Sequence, residues 1–171
     1  SHTVTGSGGA FGSLQWTHDG SGSLSDPTSA IPTYYPTAND EGDTINLLLT
    51  VTSMNNCYPQ TATANYQIFV DSLPVAIAGG STTICSNGSH TVQNTEAYNG
   101  TIMWNHDGNG SLNNPLTVAP TYIPSAADQG SLVTLTMAVQ SNNSCGSSNI
   151  DTAYYYINVD SLPVATAGGN T

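Results

Sequence analysis

Lysine and arginine are wholly absent from this chain of 171 residues, which carries 11 aspartates and glutamates and a formal charge of −11 at pH 7. Ordinary usage, roughly one basic residue in ten, makes that absence non-random. It argues against nucleic acid as a partner, because phosphates are neutralised by Lys or Arg, and anionic membrane surfaces fail for the same reason. Lys–Asn isopeptide cross-links are impossible, and trypsin-like proteases have nothing to cut. No apolar run approaches the roughly eighteen residues needed for a transmembrane helix. Helical periodicity is missing throughout. No Gly-rich phosphate loop, carboxylate pair or nucleophile on a strained elbow stands out, so neither an enzyme nor a cofactor is expected. The remaining polarity is Ser, Thr, Asn and Gly, as in exposed β proteins.

What is present is a repeat. Ser1-His2-Thr3-Val4 recurs as Ser89-His90-Thr91-Val92, and Trp16-Thr17-His18-Asp19-Gly20 as Trp104-Asn105-His106-Asp107-Gly108. Pro32-Thr33-Tyr34 matches Pro120-Thr121-Tyr122, and Cys57 matches Cys145, all at an offset of 88 residues. One inserted residue moves the offset to 89 at Asp71-Ser72-Leu73-Pro74-Val75-Ala76, which equals Asp160-Ser161-Leu162-Pro163-Val164-Ala165. A unit of about ninety residues suits a small β-sandwich. The segments 45–51 and 133–139 alternate with a period of two, as half-buried strands do. The segments 66–70 and 154–159 form a closing strand, and 14–16 and 102–104 a shorter strand carrying a core Trp. In the second copy the expected order is Val75–Ala78, Thr82–Cys85, His90–Asn94, Thr101–Asn105, Leu116–Val118, Thr121–Ile123, Leu132–Gln140 and Thr152–Val159. The fold class is all-β, two tandem immunoglobulin-like sandwiches, the first lacking its N-terminal strand. The expected domains are 1–73, 74–162, and a spare leading strand at 163–171.

The cysteine count of three is odd. The first-copy equivalent of Cys85 would fall before residue 1, so the repeat predicts a Cys85–Cys145 bridge within copy two. It leaves Cys57 without a partner in the chain, as a free thiol or an intermolecular link.

Trp-x-His-Asp-Gly-x-Gly-Ser-Leu, Pro-Thr-Tyr-x-Pro-x-Ala-x-Asp-x-Gly, the long strand, Cys and the closing strand together resemble PKD-like or immunoglobulin-like repeats. Such repeats occur in large secreted surface proteins of Bacteroidota, often exported by type IX secretion. The resemblance implies an extracellular, cell-surface location and a role as adhesin stalk, matrix or filament subunit.

The two ends are out of phase with the repeat. Copy one begins at its His2-Thr3-Val4 strand, while Leu162–Thr171 repeats the leading strand Leu73–Thr82. The donor segment is therefore expected at Leu162, Pro163, Val164, Ala165, Thr166 and Ala167, with an acceptor core of Trp16, Leu47, Leu49 and Val51. An unpaired edge beside an open core is costly. Strand donation between copies, head to tail, repairs it and builds a fibre. A slice of one long covalent array is the alternative, and a carbohydrate-binding module using Tyr34, Tyr35, Tyr122 and Tyr154–Tyr156 is a further one. His18-Asp19 and His106-Asp107 could bind metal or act as a base, but both sit where a strand enters an Asp-Gly turn, which favours a structural role. The aspartates lack the dense alternation of a calcium loop. Asp-(Ser/Thr)-aliphatic triplets resemble a Bacteroidota O-glycosylation signal and mark Ser72, Ser161, Thr44 and Thr152. Asn87, Asn99, Asn109 and Asn142 head Asn-x-Ser/Thr triplets. Covalent glycans and further copies of the chain are thus the expected partners.

Overall fold

The computed structural model describes residues 1–169. It divides into two compact units, Ser1–Ser72 and the part that begins at Leu73. Each is all-β apart from a single 3-10 turn, Ala38–Asp40 in one and Ala126–Asp128 in the other.

The first unit contains β1 (His2–Thr3), β2 (Gly12–His18), β3 (Ser23–Ser25), β4 (Thr33–Tyr35), β5 (Thr44–Ser53) and β6 (Thr61–Phe69). They form two sheets, β1-β4-β3 and β2-β5-β6, all antiparallel. The second contains β7 (Val75–Ile77), β8 (Ser81–Cys85), β9 (His90–Thr91), β10 (Glu96–Tyr98), β11 (Gly100–His106), β12 (Ser111–Asn113), β13 (Thr121–Ile123), β14 (Leu132–Ser141) and β15 (Ile150–Asp160). Its sheets are β12-β13-β9 and β11-β14-β15-β8, with β10 and β7 paired beside them.

The alternation along β14 places Val133, Leu135, Met137 and Val139 inward, each at most 1% exposed, opposite Trp104 of β11 and Ala153, Tyr155 and Ile157 of β15. Each such side chain contributes about 1.5–3 kcal/mol on burial. The first unit repeats the plan with Ile45, Leu47 and Leu49 packed on Trp16 and Tyr34. Both tryptophans donate their indole N–H to a carbonyl, Trp16 to Ser29 and Trp104 to Thr117, at 3.0 Å. Each therefore buries its ring without stranding its polar edge.

Two expectations need correction. Leu116–Val118 is not a strand: it is an exposed loop, and its backbone serves the tryptophan, which takes Thr117 O on its indole and Pro115 O on its main-chain N–H. The strand in that region is β12, which pairs with β13 from Ser111 to Asn113. The bridge between Cys85 and Cys145 is also ruled out. The parallel register sets Cys85 opposite Asp160, the last residue of β15, whereas Cys145 lies in the 142–149 turn that leads into Ile150. The 11 residues of β15 separate those levels, roughly 33 Å at 3.3 Å per residue, and a disulfide tolerates less than about 7 Å between Cα atoms.

Candidate functional site

In the His-Asp-Gly-x-Gly motif the aspartates brace the neighbouring long strand. Asp19 accepts the Asn46 main-chain N–H at 2.8 Å and the Asn46 amide at 2.7 Å, and Asp107 accepts the Thr134 N–H at 2.7 Å. The Asn46 side chain and then its N–H hold the Asp19 carboxyl below the usual carboxylate range. His18 and His106 each lie edge-on to a tyrosine, Tyr34 and Tyr122, at 5.2 Å between centroids. The glycines allow close approach. A Cβ on Gly110 would stand 2.2 Å from Ile123 O, and one on Gly108 2.2 Å from the Tyr122 hydroxyl. No group of three or more His, Cys, Asp or Glu side chains among the described residues could hold a metal ion.

Beside each motif lies a buried Tyr–Asp pair. The Tyr122 hydroxyl donates to Asp128 Oδ2 at 2.9 Å, and the Ser125 N–H reaches the same oxygen at 2.7 Å. The Asn109 N–H reaches Asp128 Oδ1 at 2.7 Å, with the Asn109 amide at 3.3 Å. Tyr34, Thr37, Ser21 and Asp40 repeat the arrangement in the first unit. Burial works to raise the Asp128 carboxyl but is outweighed by the Asn109 and Ser125 amides and the Tyr122 hydroxyl, which bring it down to about 2. Burial, the Gly110 N–H acting against it, and the neighbouring Asp128 leave the Tyr122 phenol at about 12. For Asp40 the Thr37 amide dominates and the direction is again downward.

A carboxyl depressed in the folded state stabilises above its unfolded pKa and loses that contribution as pH falls through the folded value. The melting temperature should therefore fall most steeply from about pH 4 toward pH 2. His90, lowered by burial, acts in the same direction at higher pH. A circular-dichroism melting series from pH 2 to 7 checks this, and a melting point flat to pH 2 would contradict it.

The units differ where the second has more strands. There β8 runs parallel to β15, from Ser81 opposite Tyr156 to Cys85 opposite Asp160. Ahead of it β7 pairs with β10, and Ala76, Ala78 and Ile84 pack against the core. Among the described residues the first unit has no counterpart of either strand, and the outer edge of β6 pairs with nothing in its sheet. The burial along β6 shows the consequence. Ala153 and Tyr155 are each 8% exposed, while their counterparts Ala64 and Tyr66 are exposed and half-buried. Val159 and Val139 are fully buried, whereas Val70 and Val51 are only half-buried.

A cavity of about 220 Å³ opens at this place, lined by Gly8, Gly9, Ala10, Leu49, Val51 and Ala62–Ala64. A second, of about 250 Å³, continues along Thr5–Gly8, Trp16 and Tyr66. By the repeat, Gly8-Gly9-Ala10 are the counterparts of Glu96-Ala97-Tyr98, the very strand that β7 covers in the second unit. Sequence reasoning named Trp16, Leu47, Leu49 and Val51 for this core but missed Gly8–Ala10 and Ala62–Ala64. The alignment of 8–10 on 96–98 was the available signal. Trp16, Leu47 and Leu49 are buried, and Val51 sits at the open rim.

The expected donor, Leu162 through Ala167, is exposed and unpaired in any sheet, with Val164 89% exposed. Asn170 and Thr171 of the predicted segment lie outside the described residues. Leu162-Pro163-Val164-Ala165-Thr166-Ala167-Gly168-Gly169 differs from Leu73-Pro74-Val75-Ala76-Ile77-Ala78-Gly79-Gly80 at one position, Thr166 against Ile77. In β7 the side chains of Val75 and Ile77 are exposed, and Ala76 and Ala78 face the core.

The remaining candidates scatter over the surface. Ser161, Thr44 and Thr152 are exposed and Ser72 is half-buried. Asn87 and Asn142 are exposed, while Asn99 and Asn109 engage the amide nitrogen that a glycan would need, with Leu73 O and Asp128. Tyr34, Tyr122 and Tyr155 belong to the cores, whereas Tyr35, Tyr154 and Tyr156 are exposed. No described helix is long and apolar enough to cross a membrane.

No protein-family model matches the sequence, and no curated protein is significantly similar to it. The fold does have solved counterparts. Mouse cadherin-23 EC22-24 superimposes with a TM-score of 0.52 at 17% identity, covering 94% of this chain and 57% of that one. Mouse protocadherin-24 EC1-3 gives 0.43 at 12% identity over 87% of this chain and 58% of the other. Zebrafish RET cadherin-like domains 1 to 4 give 0.31 at 9% over 90% and 42%. The chain thus spans a little over half of the cadherin-23 structure, and that likeness establishes tandem immunoglobulin-like sandwiches as the fold.

Proposed function

We propose that this chain is the structural subunit of an extracellular bacterial fibre, assembled head to tail, in which Leu162–Ala167 of one copy completes the first sandwich of the next. One observation carries the reading. The first unit is open over Gly8–Ala10, the place that β7 closes in the second unit by pairing with β10, and the chain holds a near-identical, exposed duplicate of β7. Inserted as β7 is in the second unit, the donor would supply hydrogen-bond partners to Gly8–Ala10 and cover the rims of Leu49 and Val51. The contact is heterologous, so successive copies propagate a filament. Ser161 stands exposed at the proposed joint, where a glycan would coat the fibre without entering a core.

A second reading shares this geometry. Asp71-Ser72-Leu73-Pro74 already joins the first unit to the second, and Asp160-Ser161-Leu162-Pro163 repeats it, so the groove can equally be filled by a preceding repeat of one longer chain. Negative-stain imaging followed by boiling in SDS with reductant separates these. Filaments that collapse to a band near 17.6 kDa support strand exchange, and a giant band supports a continuous array. A monodisperse monomer in native buffer refutes both.

A further inference from the structure

Each sandwich has two distinct ends, and the cysteines mark them. In the second unit Cys85 lies opposite Asp160, where the chain leaves β15. The opposite end carries the 142–149 turn. There Leu73 and Pro74 line a pocket with Asn149, Ile150 and Asp151, and the Ala76 N–H donates to Asp151 Oδ2 at 2.8 Å. The chain therefore comes into the sandwich at the turn between β14 and β15. In the first unit the equivalent turn, 54–60 between β5 and β6, holds Cys57. Cys57 and Cys85 are both exposed. Cys57 thus lies at the end of the first sandwich that corresponds to the entry end of the second, and Cys85 at the end where the chain leaves the second.

We infer that Cys85 of one copy and Cys57 of the next form a disulfide across the head-to-tail joint. The inference rests on the assembly proposed above. If Val164 takes the place of Val75 in the next copy, four residues beyond Asp160 span the joint, at most about 14 Å of extended chain. Neighbouring strands lie about 4.8 Å apart, so Cys85 stays close beside that linker while the Cys57 turn borders its far end. The competing bridge to Cys145 of the same unit is excluded by register. Two thiols form one S–S bond and release two protons and two electrons. The electrons pass to a dithiol–disulfide oxidoreductase in its disulfide form, which is reduced to the dithiol. The product locks a strand whose inward anchors are only alanines.

The test is made on fibres as isolated, with thiols alkylated before denaturation. Without reductant, boiled SDS samples should show a ladder that collapses to one band on reduction. Digestion with a protease that cleaves at aromatic residues, since trypsin has no sites, should yield a peptide pair joining Cys85 to Cys57. Cys57→Ser or Cys85→Ser should abolish the ladder and the linked pair while fibres remain visible by imaging, and Cys145→Ser should leave both in place. Visible fibres whose Cys57 and Cys85 are fully alkylated, or in which Cys85 is linked to Cys145, would overturn the disulfide and leave strand exchange standing. Loss of fibres altogether, with only monomer in native buffer, would overturn both.

Discussion

In the proposed fibre, replacing Ala165 by Glu should abolish growth and leave both sandwiches folded. Ala165 repeats Ala76, whose side chain packs against the second core beside Ala97, the counterpart of Gly9. The matching space in the first unit is the cavity of about 220 Å³ lined by Gly8, Gly9 and Ala10. A carboxylate placed there is buried without a cationic partner, and the chain has no Lys or Arg to offer one. Burying an unpaired charge costs several kcal/mol, and even about 3 kcal/mol weakens each joint by roughly 100-fold. In the unassembled chain the same residue is exposed, so melting of the monomer should be unchanged. Val164→Glu is the control. Val75, its counterpart, points outward at 36% exposure, and fibres should survive. Sedimentation and negative-stain imaging of the two variants decide the matter, and fibres of Ala165→Glu at wild-type yield would refute the assigned donor.

The second large effect concerns folding. Asp128→Ala should destabilise the unit that begins at Leu73 by about 4 kcal/mol, lowering its melting point on the order of 20 °C. Asp128 is 1% exposed and accepts from Asn109, Ser125 and the Tyr122 hydroxyl. Alanine leaves those donors facing a void that water reaches poorly. Tyr122→Phe removes one donor and keeps the carboxylate, so about 1–3 kcal/mol is expected. The double variant should lose less than the sum, because both singles break the same bond. The first unit has its own core and its own Tyr34–Asp40 pair, so only one of two thermal transitions should move. Differential scanning calorimetry reads this directly, and a loss below about 1 kcal/mol would show the network to be dispensable.

Much of this was legible in the residues. The period-two runs at 45–51 and 133–139 became β5 and β14 because strand alternation shows in sequence wherever one face is buried. The tryptophans and the Tyr34 and Tyr122 positions were marked by recurring in both copies. The misses have physical causes. Leu116–Val118 has strand-like composition, but its backbone is committed to Trp104, and Asn114 at φ 54° turns the chain there. The Asp128 network was written as Tyr-x-Pro-x-Ala-x-Asp, yet a carboxylate that accepts from backbone amides has no partner residue type to reveal it. The bridge from Cys85 to Cys145 failed because counting cysteines ignores which end of a sheet each occupies.

The sequence by itself determined the all-β class, the doubled unit and the near-identical duplicate of the leading strand, since periodicity and repetition are properties of residue order. The tertiary structure alone decided where the first core is left open and that Cys85 and Cys145 stand at opposite ends of their sheet. Strand register is a long-range pairing: β8 beside β15 puts Cys85 at one end of the sheet and Cys145 at the other. The groove over Gly8–Ala10 exists only because residues distant in the chain, Leu49, Val51 and Ala62–Ala64, line it together.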